Sequence, residues 1–303
     1  MEGVAAAGGG AVWVCGGVRW MCGRTRKRSL GVAFLLLWGA ARVYRYYVHK
    51  KRRERWANAG QDVVIVHAFP KGRYTPNMSP FVLKLETYLR LAQITYQVDY
   101  EEPLGPKALC PWITLNGEEV ADSQLIMERL GRQYDKNFES KLLTKEQQAV
   151  ARAFSLMVSE HLAWCLRDWR YVTDYGQGIR QGMSHIPLYY YLLFPYLRRR
   201  MIKALKIQGV GRHTHSQVQH MVKQDLAALS HYLGEKPFLM GEEPCEVDCT
   251  VFGFLSQLLW NYPGSPYIIM LNNDFRNLQQ YHRRLKDRLW PDWDSCLDPP
   301  RTS

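Results

Sequence analysis

The side chains able to do chemistry in this chain sit at a few turns. Ser79 precedes Pro80, Cys110 precedes Pro111, and Asp122 precedes Ser123. Serine before proline reads as a helix start, with Ser79 as N-cap and Pro80 in the first helical position. Asp122-Ser123 reads as the cap of a later helix, Pro111 as a turn residue, and Cys110 as a small core side chain. Position 79 is serine and position 82 is valine, so no Cys-x-x-Cys pair exists and dithiol–disulfide exchange is excluded. His213-x-His215 with His220 has a metal-like look, yet these residues flank a helix cap without a carboxylate or thiolate nearby. They read as solvated histidines, and no metal site is expected. Glu160-His161 lies on an apolar helical stripe and reads as a core pair rather than an acid–base couple. No glycine-rich phosphate loop, serine nucleophile elbow or paired-histidine metalloprotease motif is present. Seven cysteines scattered over 303 residues make neither a disulfide framework nor a zinc set, and point to a reducing compartment.

Those turns need elements to position them. Residues 63–67 (VVIVH) form a short β-branched run, as expected of a buried strand. The loop 70–78 follows, longer than the usual two to six residues, and then the helix opened by Ser79. Residues 95–99 alternate as a second strand, so the first three elements make a right-handed β-α-β unit with parallel strands. Residues 112–115 and 118–121 flank Asn116-Gly117, a strong type I′ hairpin signal. Strand order β-α-β then β-β-α in one short stretch is that of a thioredoxin-like domain, here 61–137.

The rest, 138–293, is helical. Thr144-x-x-Gln147 and Ser216-x-x-Gln219 read as capping boxes. Residues 186–197 are aromatic and apolar; they could touch a membrane, but at about a dozen residues with Pro195 inside they read rather as a kinked core helix. Residues 247–259 are almost wholly apolar and predict the buried central helix. Residues 275–290 form a last amphipathic helix, and 294–303 read as a flexible tail. The fold class is therefore α+β.

A thioredoxin-like half followed by an all-helical half resembles the glutathione S-transferases. Ser79-Pro80-Phe81 stands where that family carries its catalytic hydroxyl or thiol, and Cys110-Pro111-Trp112 where it has a cis-proline. Asp122-Ser123 matches its acidic-Ser pair. Cys245-Glu246-Val247-Asp248 matches the buried capping motif of its central helix, with Cys245 in place of a better Ser or Thr cap. The stretch Met78-Ser79-Pro80-Phe81-Val82-Leu83-Lys84-Leu85-Glu86 is closer still to the failed axon connections family, which is related to metaxins. So are residues 120–127, Glu160-His161-x-x-Trp164, 209–212, 248–253 and Trp290-Pro291-Asp292-Trp293.

This resemblance covers roughly 62–293, and implies glutathione as ligand or substrate, with no other cofactor. Ser79 would then hydrogen-bond the glutathione thiolate in the positive field of a helix N-terminus. The backbone of Cys110, freed by Pro111 in cis, would pair with the peptide like an added strand. Asp122 and Ser123 would hold its charged end at a second helix N-terminus. Asp248 would be structural. Lys71 and Arg73 in the long loop would be the nearest cationic helpers. Each carries its plain alternative as a cap, a turn or a core residue.

The net charge of +12 first suggests nucleic acid, but residues 1–60 alone carry twelve Lys/Arg against Glu2 and Glu54. The folded remainder is nearly neutral, so a nucleic-acid partner is excluded. The segment 1–60 starts Gly/Ala/Val-rich, carries a basic cluster at 24–28, runs uncharged from 30 to 41, and closes with a second cluster at 50–55. A membrane helix over 30–48 is the leading reading, with Arg42 and Arg45 snorkelling and the tyrosines in the interface. Targeting and interfacial readings stand beside it. Both flanks are positive, and the denser cluster after the run favours a cytosolic folded part, with the mitochondrial outer membrane as the alternative site. Two functions are implied by the resemblance. One is an anchored glutathione-transferase-like enzyme linked to axonal development; the other is a non-catalytic, metaxin-like binding or scaffold module for a protein partner or a second copy.

Overall fold

The computed structural model describes residues 14–299 except 106, 184, 185, 187 and 263; for 14–34, 188 and 189 it describes the backbone alone. Residues 3–13 of the Gly/Ala/Val-rich start and 300–303 of the expected tail lie outside the described residues. The chain divides into two compact units, Met1–Asn58 and Ala59–Ser303.

The described residues of the first unit form α1 (Val14–Ala57, 44 residues). Its uncharged run of 12 residues spans about 18 Å at 1.5 Å per residue, against roughly 30 Å of bilayer hydrocarbon. Arg42 and Arg45 then interrupt it. No helix among the described residues is long and apolar enough to cross a membrane, so the spanning reading of 30–48 is not supported.

The second unit opens on β1 (Val64–His67), α2 (Pro80–Ala92), β2 (Tyr96–Asp99), β3 (Trp112–Leu115), β4 (Glu118–Ala121) and α3 (Ser123–Gln133). The sheet order is β2-β1-β3-β4, with β1 parallel to β2 and β3 antiparallel to both β1 and β4. This is the thioredoxin-like arrangement that the strand order implies. Asn116 (φ 50°) and Gly117 (φ 83°) make the hairpin turn, both in the left-handed region that a type I′ turn requires. Val64, Val66, Ile113 and Leu115 point from the sheet onto Leu85, Tyr88 and Leu89 of α2 and Ile126, Met127 and Leu130 of α3. His67 is fully buried in the sheet. Its ring stacks on Trp112 (centroids 3.7 Å apart), Nδ1 lies 3.2 Å from Asp99 Oδ2, and Nε2 lies 2.9 Å from Thr114 Oγ1. One side chain thus ties β1 to both neighbours.

The helical half comprises α4 (Phe138–Leu142), α5 (Lys145–Leu156), α6 (Ala163–Asp168), α7 (Gln177–Gly182), α8 (Leu188–Gln208), α9 (His215–Leu233), α10 (Glu246–Trp260), α11 (Pro266–Asn273) and α12 (Arg276–Leu289). Wide π-type turns, Met157–Leu162 and Trp169–Thr173, extend α5 and α6 into one long rod. The capping box of α5 forms at Thr144 and Gln147 as its spacing implies. That of α9 forms at Thr214 and Gln217, not at Ser216 and Gln219: Thr214 Oγ1 takes the Gln217 amide, and Ser216 sits inside the first turn.

The central helix α10 is buried from Val247 to Leu258. Its closest neighbour is α2, and Gly253 makes that approach. A Cβ there would lie 2.5 Å from the Pro80 carbonyl and 2.9 Å from the Lys84 amide nitrogen. Asp248 anchors the start of α10. Its carboxylate accepts the Leu239 and Cys245 amides at 2.8 Å each and the Tyr281 hydroxyl at 2.7 Å.

Two further expectations are corrected. Residues 186–197 are not a core helix: in α8, Tyr191, Leu192, Leu193, Tyr196 and Leu197 are exposed. The chain past Asp292, expected to be loose, is held as far as Asp298. Trp293 is buried, a 3-10 turn spans Trp293–Cys296, and the Asp298 amide donates to the Gly72 carbonyl at 2.8 Å.

Candidate functional site

Register alone brings three of the turns together. His67 pairs with Trp112, and Trp112 pairs with Ala121. The residues that follow β1, precede β3 and follow β4 therefore leave the sheet at the same end. Cys110-Pro111 and Asp122-Ser123 meet there.

Ser79 is delivered to that end by the long loop, and the side chain that folds the loop is Asn77. Its Nδ2 donates to the Phe69 carbonyl at 2.6 Å, while its Oδ1 accepts the Ser79 amide at 2.9 Å. Side chains of the helical half pin the loop from behind. Gln257 Nε2 donates to the Asn77 carbonyl (3.0 Å), Asn261 Nδ2 to Thr75 Oγ1 (2.7 Å), and Arg170 Nη1 to the Met78 carbonyl (3.3 Å). A buried polar side chain left without such partners would cost about 1–3 kcal/mol, so this network specifies one loop conformation. Ser79 itself is extended (φ −97°, ψ 121°) at the start of α2, and its hydroxyl makes no capping bond. It is half-buried and available to a ligand.

The Cys110–Pro111 bond is cis. The Cys110 sulfur lies against the Phe69 backbone, and burial pushes its thiol up to about 12. At neutral pH it is a protonated thiol, a poor nucleophile. The main chain of this residue, rather than its sulfur, is the useful surface.

Asp122 adopts φ 85°, a conformation that favours glycine. Two bonds hold it there, since Oδ1 accepts the Gln124 amide (2.9 Å) and the Leu125 amide (3.2 Å). The carboxylate thus consumes two donors of the α3 N-terminus and leaves the Ser123 amide outside the pair. Ser123 is buried as a residue, and its hydroxyl has no hydrogen bond among the described residues. Behind this turn Lys84 Nζ donates to Gln124 Oε1 at 2.8 Å. Burial lowers the Lys84 amine to about 8, with the Asp122 charge pulling it back up. A buried cation therefore sits under the helix start that would receive a carboxylate.

Asp248 lies away from this sheet end and acts as a clamp on α10. Lys71 does not serve Ser79 either. Its Nζ reaches the Ser295 carbonyl (3.4 Å), and it lines a separate cleft of about 480 Å³ with Glu86, Arg90, Tyr96, Tyr100 and Cys296. Arg73 is exposed, and its amide donates to the Gly182 carbonyl. His161 pairs with Asp225 (Nδ1 to Oδ2, 2.7 Å) and not with Glu160. Among the described residues the group with metal-ligand proximity is Glu139, Cys245 and Glu246. Glu246 already accepts two amides at 2.7 Å, and burial drives the Cys245 thiol far above its usual range, so the donors are committed or protonated.

Lys84, Asn77, Arg170 and Gln257 are the working residues that sequence reasoning passed over. The available signal was polarity in the wrong place: Lys84 and Gln257 each interrupt an otherwise apolar helical run.

Residues 80–175 match the glutathione S-transferase N-terminal domain family, and residues 222–285 match the glutathione S-transferase C-terminal domain family. Failed axon connections of Drosophila melanogaster is 32% identical over 269 residues, 82% of this chain and 62% of that protein. The chain thus spans less than two thirds of that relative's length. Isoprene-epoxide–glutathione S-transferase of a Rhodococcus species is 28% identical over 68% of this chain and 92% of its own. Metaxin-2 of Mus musculus is 24% identical over 70% of this chain and 82% of its own. Among solved structures, a glutathione S-transferase of Ceriporiopsis subvermispora in complex with glutathione superposes with a TM-score of 0.54. It does so at 15% identity, over 75% of this chain and 97% of that one, which speaks to the fold alone. With the thioredoxin-like sheet, the helical half and these relatives together, the chain belongs to the failed axon connections family, metaxin-related and glutathione S-transferase-like.

Proposed function

We propose that this protein binds glutathione at the sheet end formed by Ser79, Cys110-Pro111 and Asp122-Ser123. The observation that carries the reading is the convergence of two hydroxyls without internal partners among the described residues, on Ser79 and Ser123, with the main chain before a cis-proline. The peptide would pair with the Cys110 backbone. Its γ-glutamyl carboxylate would meet Ser123 over the Lys84 charge, and its ammonium group the Asp122 carboxylate. Ser79 would then face the thiol and stabilise its anion, which is the step conjugation requires. The glutathione-linked name of the Rhodococcus relative supports this reading.

A second reading is a module that keeps the fold and binds a protein partner without chemistry. The likeness to metaxin-2 favours it. So does the commitment of Arg170 to the Met78 carbonyl and Gln257, which takes this cation away from the Ser79 hydroxyl. On either reading, attachment through residues 1–60 would be peripheral, with α1 lying on a membrane; the mitochondrial outer membrane is one location. A role in axon connections comes only from the name of the Drosophila relative.

Isothermal titration of the full chain with glutathione separates the two. Binding in the micromolar to low-millimolar range, competed by a glutathione conjugate, supports the first reading. Absence of binding at millimolar glutathione overturns it and leaves the interaction module.

A further inference from the structure

Helix α8 lies in the stretch 176–221, between the two ranges that match the transferase domains. Its exposed surface is unlike that of any other described helix in the second unit. Tyr191, Leu192, Leu193, Tyr196 and Leu197 are all exposed, Leu192 to 75% and Tyr196 to 58%. At 100° per residue, these positions run around most of the helix circumference. Among the described side chains of this end, Phe194 and Tyr190 turn inward: Phe194 stacks on Tyr171, with Gly176 packed too closely against it to admit a side chain, and Tyr190 packs on Phe194.

One turn later the character changes to cationic. Arg199, Arg200, Lys203 and Lys206 are exposed, and the helix carries no Asp or Glu. Arg199, Lys203, Lys206 and Arg212 line an open groove of about 750 Å³ together with Ile202 and the exposed Ile207. The occupant must therefore accept tyrosine and leucine from all sides and supply negative charge next to them. A second copy could cover the apolar end about a two-fold axis, but it would bring no negative charge to Arg199, Lys203 and Lys206, since α8 carries no Asp or Glu. A protein groove would cover one side of the helix and leave the rest wet. A bilayer interface surrounds what enters it, takes Tyr and Leu at the headgroup–acyl boundary, and presents phosphate to Lys and Arg.

We propose that α8 is a membrane-surface element whose Tyr191–Leu197 end enters the interface of an anionic phospholipid bilayer, with Arg199, Lys203 and Lys206 on the lipid phosphates. The site is separate from the glutathione site and does not depend on it.

The test uses the full chain with vesicles of phosphatidylcholine, alone and with about 30 mol% phosphatidylserine, a typical anionic surface. Vesicle partition is read by co-sedimentation, and amide hydrogen exchange reads the peptides of α8 locally. Expected are binding to the anionic vesicles, slowed exchange in α8, and a loss of partition of about tenfold or more in both Leu192→Ser/Leu193→Ser/Tyr196→Ser and Lys203→Glu/Lys206→Glu. All five side chains are exposed, so the fold should survive. Binding with α8 exchange unchanged and both variants intact would assign the membrane contact to the basic N-terminal segment and overturn the proposal. Loss in the charge variant alone would reduce it to adsorption without insertion, and so would also overturn it. A dimer in sedimentation velocity that the apolar variant abolishes, without vesicle binding, would give the surface to a second copy instead.

Discussion

Glu86 offers a quantitative check on the packing of α2. It is 6% exposed, and burial pushes its carboxyl up from 4.5 to about 7, opposed by the Arg90 charge and by the Tyr96 hydroxyl, which donates to Oε2 at 3.3 Å. A raised carboxyl binds its proton more tightly in the folded chain than in the unfolded one. The stability linked to that proton is present below about pH 4.5 and is lost as pH rises through about 7. A shift of roughly 2.5 units at 1.36 kcal/mol each is about 3 kcal/mol. Glu86→Gln keeps an acceptor for Tyr96 and removes the charge. At pH 8 the variant should be more stable than the parent by up to about 3 kcal/mol, and at pH 4.5 the two should nearly coincide. Glu139 is also pushed up to about 7, and so bends both curves over the same window, but the difference between them cancels its contribution. Equilibrium urea unfolding of both chains across pH 4.5–8 provides the measurement. A difference that does not change with pH, or a variant less stable throughout, would refute a protonation-linked cost at Glu86.

Other substitutions test the remaining contacts. Asp248→Ala strands the Leu239 and Cys245 amides and the Tyr281 hydroxyl, and should lower stability by about 3 kcal/mol or more, read as the urea midpoint. Gly253→Ala forces a Cβ onto the Pro80 carbonyl and should cost about 1–3 kcal/mol in the same assay. Ser123→Ala should weaken glutathione binding by about 1 kcal/mol in titration calorimetry. Ser79→Ala should leave that affinity nearly unchanged while lowering any conjugation rate with a chromogenic electrophile, since its hydroxyl would serve the thiolate and not the peptide frame.

The sheet was legible in the sequence because each strand carries its own local signal. The β-branched run at Val64–His67 and the Asn116-Gly117 turn are decided by residues next to one another. Legible for the same reason were the caps at Thr144 and Asp122, since a cap acts over three residues. The site needed more. Nothing local says that Asn77 clips Phe69 to Ser79, or that Gln257, 180 positions later, holds the other face of the same residue. Lys71 shows the converse error: adjacency in sequence suggested help for Ser79, yet the loop turns its side chain toward Ser295.

Helix α8 marks where pattern reading reaches its limit. Apolar residues around a whole helix signal burial, and in α10 the inference holds, with Val247 to Leu258 enclosed. Residues 191–197 of α8 carry the same all-round pattern and, Phe194 apart, are exposed. The difference lies at the C-terminal end of each run. The apolar run of α10 contains no Lys or Arg, whereas that of α8 passes directly into Arg198-Arg199-Arg200 on the same helix. A buried core cannot take such a cluster without carboxylates to meet it, and α8 has none. An all-round apolar helix that ends in unmatched cations therefore specifies a different surrounding from an all-round apolar helix that does not. It calls for an apolar medium bounded by anions, which is the physical description of a phospholipid interface rather than of a protein interior.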